Sequence, residues 1–195
     1  MRNDFVEEPT QGQGSSQFNI QEWIRKGINW QQYIASCARN IGRMKDIYSK
    51  LTVPHESIAF FRSRGPFTII CIAEDWCPDC VQNVPLLIRL SESLPMTRVK
   101  LFFRDRNDEL MQHYLTNGKR VVPTVLFLDR ELNELGKWAG PSRKAKAWTL
   151  ETLVKGRKID DIPQEEKQKF GILYDDRFLK EFYADSLAEM KAALE

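Results

Sequence analysis

Apolar residues follow two patterns along this chain, a spacing of three to four residues and continuous runs, which predict helices near both ends and strands in the middle. Between residues 30 and 51 they return every three or four positions, the spacing of one face of an α-helix. The members of this stripe are Trp30, Tyr33, Ile34, Cys37, Ile41, Met44, Tyr48 and Leu51. The spacing predicts one long helix packed on the rest of the chain, with a partner-binding or cofactor-binding face as the alternative. Val53-Pro54 ends it, because proline cannot donate to the helical ladder.

Continuous runs of β-branched and apolar residues predict four strands. The run 67–73 has no polar alternation, which suits a strand buried on both faces of a sheet. Further strands are predicted over 98–103, 124–128 and 134–138. Helices are predicted at about 56–62, 81–94, 107–118 and 142–155. The order over residues 66–155 is βαβαββα, which predicts an α/β core with a mixed sheet flanked by helices.

Helical extensions are expected on both sides of this core. Residues 1–17 form a polar lead expected to be flexible, and residues 18–65 form a helical N-terminal extension packed on the core. In the C-terminal extension, residues 156–195, Pro163 starts one helix. The apolar positions between 178 and 194 mark a second, amphipathic terminal helix. We expect this helix to dock on the core, with a homodimer interface as the alternative.

Composition narrows the functional classes. The chain has 195 residues, of which 42% are hydrophobic and 29% charged, with a formal net charge of +2. Nucleic-acid binding is not expected at this charge, because nucleic-acid binders show a basic stripe or patch. No apolar run is long enough for a signal peptide or a membrane span, so we expect a cytoplasmic protein with no membrane contact. Four cysteines are too few for a disulfide scaffold.

The pair Cys77 and Cys80 carries the chemical prediction, because it lies where the first core strand gives way to a helix. At a helix start, unpaired N–H groups and the helix dipole favour a thiolate. We therefore expect Cys77 to attack a disulfide and Cys80, one turn later, to resolve the mixed disulfide. Pro78 suits the first helical position, and Trp76 is expected to flank the Cys77 thiol.

Two features of this segment leave alternatives open. Asp79 places a carboxylate beside Cys77, which disfavours a second negative charge, so a moderately activated thiol is expected. A Cys-x-x-Cys pair can also form half of a zinc site. Zinc usually requires four ligands, and the chain offers no second such pair and only His55 and His113. We therefore expect no metal and no cofactor beyond a redox-active Cys77–Cys80 disulfide.

Residues 66–155 resemble the thioredoxin superfamily. The features in common are Trp-Cys-x-x-Cys at 76–80, a proline five residues later at Pro85, and Val-Pro-Thr at 122–124. The string at 76–81 is also similar to that of small cytosolic thioredoxin-related proteins of eukaryotes. The resemblance implies that Pro85 kinks the helix and that Pro123 is cis and lies against the cysteine pair. It also implies that substrate binds at Trp76, Pro78, Val122 and Pro123, with the Val122 backbone pairing with an extended segment.

The sequence departs from this family at one buried ion pair. Thioredoxins carry an aspartate six residues before the first cysteine and a lysine that pairs with it; the corresponding positions here are Cys71 and Leu101. We hypothesise that proton transfer to and from the resolving thiol instead uses Glu74, Asp75 or Asp79 through water. This hypothesis rests on their nearness in sequence. Cys37 and Cys71 are assigned no catalytic role, because buried cysteine commonly acts as a small hydrophobe.

The expected function is that of a thiol–disulfide oxidoreductase. Its substrate would be a disulfide-containing protein or a small thiol compound, and a reductase or a low-molecular-weight thiol would recycle it. The basic pair Lys119-Arg120 is either a site for such an anionic partner or an ordinary solvated loop. The alternative function is a redox-sensing adaptor module without significant turnover, suggested by the long extensions and the missing ion pair.

Overall fold

Four strands form one mixed sheet at the centre of the fold. The computed structural model describes residues 18–195, and the predicted flexible lead over residues 1–17 lies outside them. The strands are β1 (Thr68–Ala73), β2 (Arg98–Phe103), β3 (Thr124–Leu128) and β4 (Glu134–Ala139), in the order β2-β1-β3-β4. Strand β1 is parallel to β2 and antiparallel to β3, and β4 is antiparallel to β3. The predicted α/β fold with a mixed sheet flanked by helices is therefore confirmed.

The two central strands have helices over both faces, which explains their apolar sequences. Every residue of β1 and every residue of β3 is buried. The outer strands β2 and β4 are buried only in part. The unbroken apolar runs in the sequence therefore mark the middle of the sheet, and the runs with more polar residues mark its edges.

The helices before and between the strands follow the predicted order with shifted bounds. They are α1 (Ile20–Lys26), α2 (Trp30–Ser36), α3 (Ile41–Lys50), α4 (His55–Arg64), α5 (Pro78–Glu92), α6 (Asp108–His113) and α7 (Arg143–Thr149). Helix α5 follows β1 directly and contains Pro85 in its interior. Helix α6 ends at His113, five residues before the predicted stop at Gly118, and the Asn107 side chain does not cap it. Ser142 does cap α7, because its hydroxyl accepts the Ala145 N–H at 3.3 Å.

The prediction of one long helix over residues 30–51 is wrong. The chain forms α2 and α3 with a break at residues 37–40, where Asn40 adopts a left-handed conformation with φ 55°. A residue from another part of the chain stabilises the break: the Asp75 carboxylate, which follows β1, accepts the backbone N–H groups of Ala38 at 2.6 Å and Arg39 at 2.9 Å. An apolar period of three to four residues continues through the break, so the period alone does not reveal it.

The C-terminal extension also differs from its prediction in one respect. Helix α7 runs on as a π-helix over Leu150–Val154, and a 3₁₀ turn follows at Ile159–Asp161. Helix α8 (Gln164–Arg177) then continues through a π-helical stretch, Phe178–Phe182, into α9 (Tyr183–Ala192) without the predicted interruption. The apolar residues of this long helix pack against the chain itself: Phe170, Tyr174, Phe178, Phe182, Leu187 and Met190 are all buried. Within residues 18–195, no helix combines the length and apolarity that crossing a membrane requires.

Candidate functional site

The cysteine pair lies at the start of α5, where β1 ends. Cys77 is the N-cap residue, with φ −82° and ψ 119°, and Pro78 begins the helix. Extended backbone at the cap leaves the first helical N–H groups without partners inside the helix, and proline at the first position has no N–H to lose. Both cysteines are free thiols. The exposed fraction is 7% for Cys77 and 0% for Cys80, so Cys77 is the thiol nearer to solvent.

The Cys80 thiol is enclosed by protein on all sides. The Glu74 backbone N–H donates a hydrogen bond to Cys80 Sγ at 3.4 Å. Burial, and next to it the hydrogen bond that the Cys80 thiol shares with Cys77, raises the pKa of Cys80 well above the usual range for a thiol. Ionising this thiol therefore requires hydrogen-bond donors that compensate for the lost water.

The Cys77 thiol faces the loop before β3. It donates a hydrogen bond to the Val122 carbonyl oxygen at 3.5 Å, and the Val122–Pro123 peptide bond is cis. The Thr124 hydroxyl donates to the Val121 carbonyl at 2.8 Å, which ties the loop to the start of β3. Pro123 and the cysteine pair thus lie next to each other, and the Val122 carbonyl is occupied by the thiol.

Trp76 and Pro78 form the exposed border of the pair. The Trp76 side chain is 39% exposed, and Pro78 is also exposed. The Arg104 guanidinium lies over the Trp76 ring, 4.8 Å from its centre, and pairs with Asp105 at 2.8 Å. A cation over an indole face is attractive and helps to fix the orientation of the ring.

Two of the three carboxylates near the pair are bound to backbone N–H groups. Glu74 Oε1 accepts the Asp105 N–H at 2.8 Å, and burial raises the pKa of Glu74. Asp75 accepts the N–H groups that break the N-terminal helix, and its own carbonyl accepts the Asn40 side-chain amide at 2.8 Å. The segment between β1 and Cys77 is thereby fastened to the N-terminal extension.

The third carboxylate, Asp79, contacts the C-terminal extension. The Tyr174 hydroxyl on α8 donates to Asp79 Oδ1 at 2.8 Å, and burial raises the pKa of Asp79 to about 6. The neighbouring Asp175 accepts the Gln82 amide at 3.0 Å and pairs with Arg43 at 2.7 Å. These partners lie far from the cysteine motif in the sequence, and no spacing within the chain indicates them.

The remaining residues considered from sequence lie apart from the dithiol or deep in the core. Arg120 is ion-paired with Asp108 at 2.7 Å, while Lys119 is exposed. Cys37 and Cys71 are buried, and burial raises the pKa of each thiol to about 12. Among residues 18–195, no three His, Cys, Asp or Glu side chains come together in a way that could hold a metal ion.

Two solved structures share this fold. A protein of unknown function from Pseudomonas aeruginosa is 20% identical, with a TM-score of 0.63, over 91% of this chain and 99% of its own. An HIV epitope scaffold is 19% identical, with a TM-score of 0.62, over 89% of this chain and 96% of its own. At such identities the likeness establishes the fold and says nothing of activity. No curated protein matches the chain.

The family assignment comes from the sequence itself. A family model described as thioredoxin matches residues 27–155, which is well over half of the chain. The match takes in helices α2 to α7, the whole sheet and the cysteine pair. The fold and this match agree: the chain belongs to the thioredoxin family.

Proposed function

We propose that this protein is a thiol–disulfide oxidoreductase in which Cys77 attacks and Cys80 resolves. One observation carries the proposal: two free thiols lie together at the N-terminus of α5, with one near the surface and the other buried beneath it. Thiol–disulfide exchange needs an accessible nucleophile and a second thiol within reach of the mixed disulfide. Cys77 is the thiol nearer to solvent and so the candidate nucleophile, and Cys80 lies within reach of it.

The reaction balances as two successive sulfur exchanges. The Cys77 thiolate attacks one sulfur of the substrate disulfide, the substrate S–S bond breaks, and the other substrate sulfur leaves as a thiolate that takes a proton from water. The Cys80 thiol loses its proton and attacks Cys77, which releases the second substrate thiol. The substrate gains two electrons and two protons, and the enzyme retains a Cys77–Cys80 disulfide.

The surroundings favour an extended disulfide-containing segment as substrate. The exposed rings of Trp76 and Pro78 border the thiol, and the Val122 backbone lies on its other side. Substrate would displace the Cys77 thiol from the Val122 carbonyl and pair with that backbone instead. A reductase or a low-molecular-weight thiol in a reducing cytoplasm would return the enzyme to its dithiol form. Water-mediated proton transfer by Glu74, Asp75 or Asp79 remains part of this proposal.

A redox-sensing adaptor is the second candidate, and the low exposure of Cys77 favours it. With 7% of its surface open, Cys77 meets a large protein disulfide less readily than a fully exposed thiol would. Asp75 and Asp79 also connect the dithiol segment to both extensions. Oxidation of the pair would then act on a surface formed by those extensions.

Insulin reduction with dithiothreitol separates the two candidates. We expect the wild-type protein to accelerate insulin precipitation, and Cys77→Ser to fall to the rate without enzyme. Cys37→Ala is the matched control, because Cys37 is similarly buried but lies outside the pair, and it should retain the wild-type rate. Equal rates for wild type and Cys77→Ser would overturn the oxidoreductase proposal in favour of the adaptor. Capture of mixed disulfides on Cys80→Ser would then identify the substrates.

A further inference from the structure

The Tyr33 hydroxyl is buried without a hydrogen-bond partner. Tyr33 on α2 is 0% exposed, and no group in the part of the chain that the structure describes bonds its hydroxyl oxygen. Burying a hydroxyl without a hydrogen-bond partner is unfavourable, because the group loses its bonds to water. The ring packs well, stacking on Phe103 with centroids 4.6 Å apart, but a phenylalanine would provide this contact without the cost. The hydroxyl therefore calls for a role other than packing.

The Tyr33 ring packs beside the end of β1, which adjoins the buried Cys80 thiol. Its stacking partner Phe103 is the register partner of Ala73 at the end of β1. The next residue, Glu74, donates its N–H to Cys80 Sγ. Negative charge on Cys80, Cys37, Cys71 or Glu74 raises the pKa of Tyr33, after burial itself, with Cys80 the first among them. The hydroxyl is thus within electrostatic reach of Cys80 and stays protonated.

The resolving step requires a hydrogen-bond donor for the Cys80 thiolate, and a tyrosine hydroxyl can be that donor. Cys80 must carry negative charge when it attacks, yet among residues 18–195 the Glu74 N–H is the one backbone group that donates a hydrogen bond to it. The nearby carboxylates cannot help as donors when ionised, and their charge opposes a thiolate. A tyrosine hydroxyl is neutral and can donate a strong hydrogen bond to an anion.

We propose that the Tyr33 hydroxyl donates a hydrogen bond to the Cys80 thiolate as Cys80 resolves the mixed disulfide. The inference rests on the proposed oxidoreductase function and adds a residue to it. Tyr33 keeps its own proton throughout: the Cys80 proton leaves to water, the Cys80–Cys77 bond forms, and the bond from Cys77 to the substrate sulfur breaks. The departing sulfur takes the electron pair and then a proton from water.

Tyr33→Phe tests the proposal, because it removes the oxygen and leaves the ring. Reduced protein is mixed with dithionitrobenzoate, which releases one coloured thiolate when Cys77 attacks and a second when Cys80 resolves. We expect the first phase to be unchanged. The second should be about tenfold slower near neutral pH, with its pH profile displaced upward by about one unit, the size of one lost hydrogen bond to a charged group.

A structural role for Tyr33 would give a different result. Since its hydroxyl has no partner in the dithiol form, Tyr33→Phe should unfold at the same or a higher urea concentration than wild type. Tyr48→Phe, which loses an exposed hydrogen bond to Glu92 at 2.6 Å, is the control and should leave both phases unchanged. An unaltered second-phase pH profile in Tyr33→Phe would overturn this inference alone. Absence of a second phase in the wild type would instead overturn the proposed function.

Discussion

At the scale of single residues, Asp79 has the most unusual environment near the dithiol. Its carboxylate lies between the first turn of α5 and Tyr174, and burial raises its pKa from 3.8 to about 6. The folded protein therefore holds this proton more tightly than the unfolded chain does. Because of this shift, the contribution of Asp79 to the free energy of unfolding decreases as the pH rises from about 4 to about 6. Above that range the contribution no longer changes with pH.

Replacing this carboxylate by an amide should remove that loss. We expect Asp79→Asn to match the wild type in urea unfolding at about pH 4 and to be more stable by about 1–3 kcal/mol at about pH 8. The amide oxygen can still accept the Tyr174 hydroxyl, so the contact itself is retained.

Asp176→Asn is the comparison for this experiment. Asp176 is on the same helix as Tyr174 but is exposed, and it pairs with the exposed Lys180. Exposed pairs contribute about 0–1 kcal/mol, so this variant should follow the wild type at both pH values. Parallel stability curves for wild type and Asp79→Asn would show that the Asp79 carboxyl is not desolvated.

The sequence predicted the dithiol at this scale because its determinants are local. Cys77, Pro78 and the start of α5 lie within a few positions, and helix-start preferences act over that range. The environment of Asp79 could not be predicted in the same way, since its partner Tyr174 is 95 positions away. The unpartnered Tyr33 hydroxyl was missed for a related reason. Its apolar spacing on α2 accounts for the ring and says nothing about the oxygen.

At the scale of elements, the strands were predicted better than the helix ends. A strand covered on both faces needs a continuous apolar run, so β1 and β3 can be recognised from composition alone. The end of α2 depends on the Asp75 carboxylate, which belongs to a different part of the chain. Asn40 was the local indication, because asparagine tolerates the left-handed conformation that it adopts there.

Strand β4 meets the end of the C-terminal extension at a position that only glycine allows. A Cβ on Gly136 would lie well inside the van der Waals contact distance of the Ala193 carbonyl oxygen and 2.8 Å from its carbon. Because those atoms are backbone, they cannot move aside as a flexible side chain would. We expect Gly136→Ala to lower the free energy of unfolding by about 1–3 kcal/mol in urea titrations.

Gly42 in α3 provides the matched control, since a Cβ added there meets no atom within 4 Å. Alanine is favoured over glycine inside a helix, so Gly42→Ala should raise the unfolding free energy by about 0.5–1 kcal/mol. Glycine to alanine is thus expected to lower the free energy of unfolding at one position and to raise it at the other. If Gly136→Ala were neutral, the contact between β4 and the terminal helix would be looser than these distances require.

At the scale of the whole molecule, both extensions meet the helix that carries the dithiol. Arg43 of α3 and Gln82 of α5 both bind Asp175 of α8, so the three helices share one carboxylate. The apolar face of the terminal helix, considered from sequence as either a docking face or a dimer interface, is buried within its own chain. The helices of both extensions are therefore stabilised more by packing against the rest of the chain than by their own helix preference.

Trp148 joins the C-terminal extension to the rest of the fold through aromatic contacts. Its ring lies 4.9 Å from Phe170, 5.9 Å from Tyr174 and 5.7 Å from Phe182, measured between centroids. Removing a large ring from such a cluster costs about 2–4 kcal/mol. If extension and core form one cooperative unit, Trp148→Ala should shift the entire unfolding transition to lower urea.

Two probes distinguish this outcome from independent unfolding of the extension. Far-ultraviolet circular dichroism follows all helices, while the reactivity of Cys80 with a thiol reagent follows the core beneath the dithiol. For wild type and Trp148→Ala alike, we expect both probes to give one coincident transition, displaced by the same amount. A dichroism change that precedes Cys80 exposure would show that α8 and α9 separate first. The contact between Tyr174 and Asp79 argues against such early separation of α8 and α9, because their separation would also release the first turn of α5.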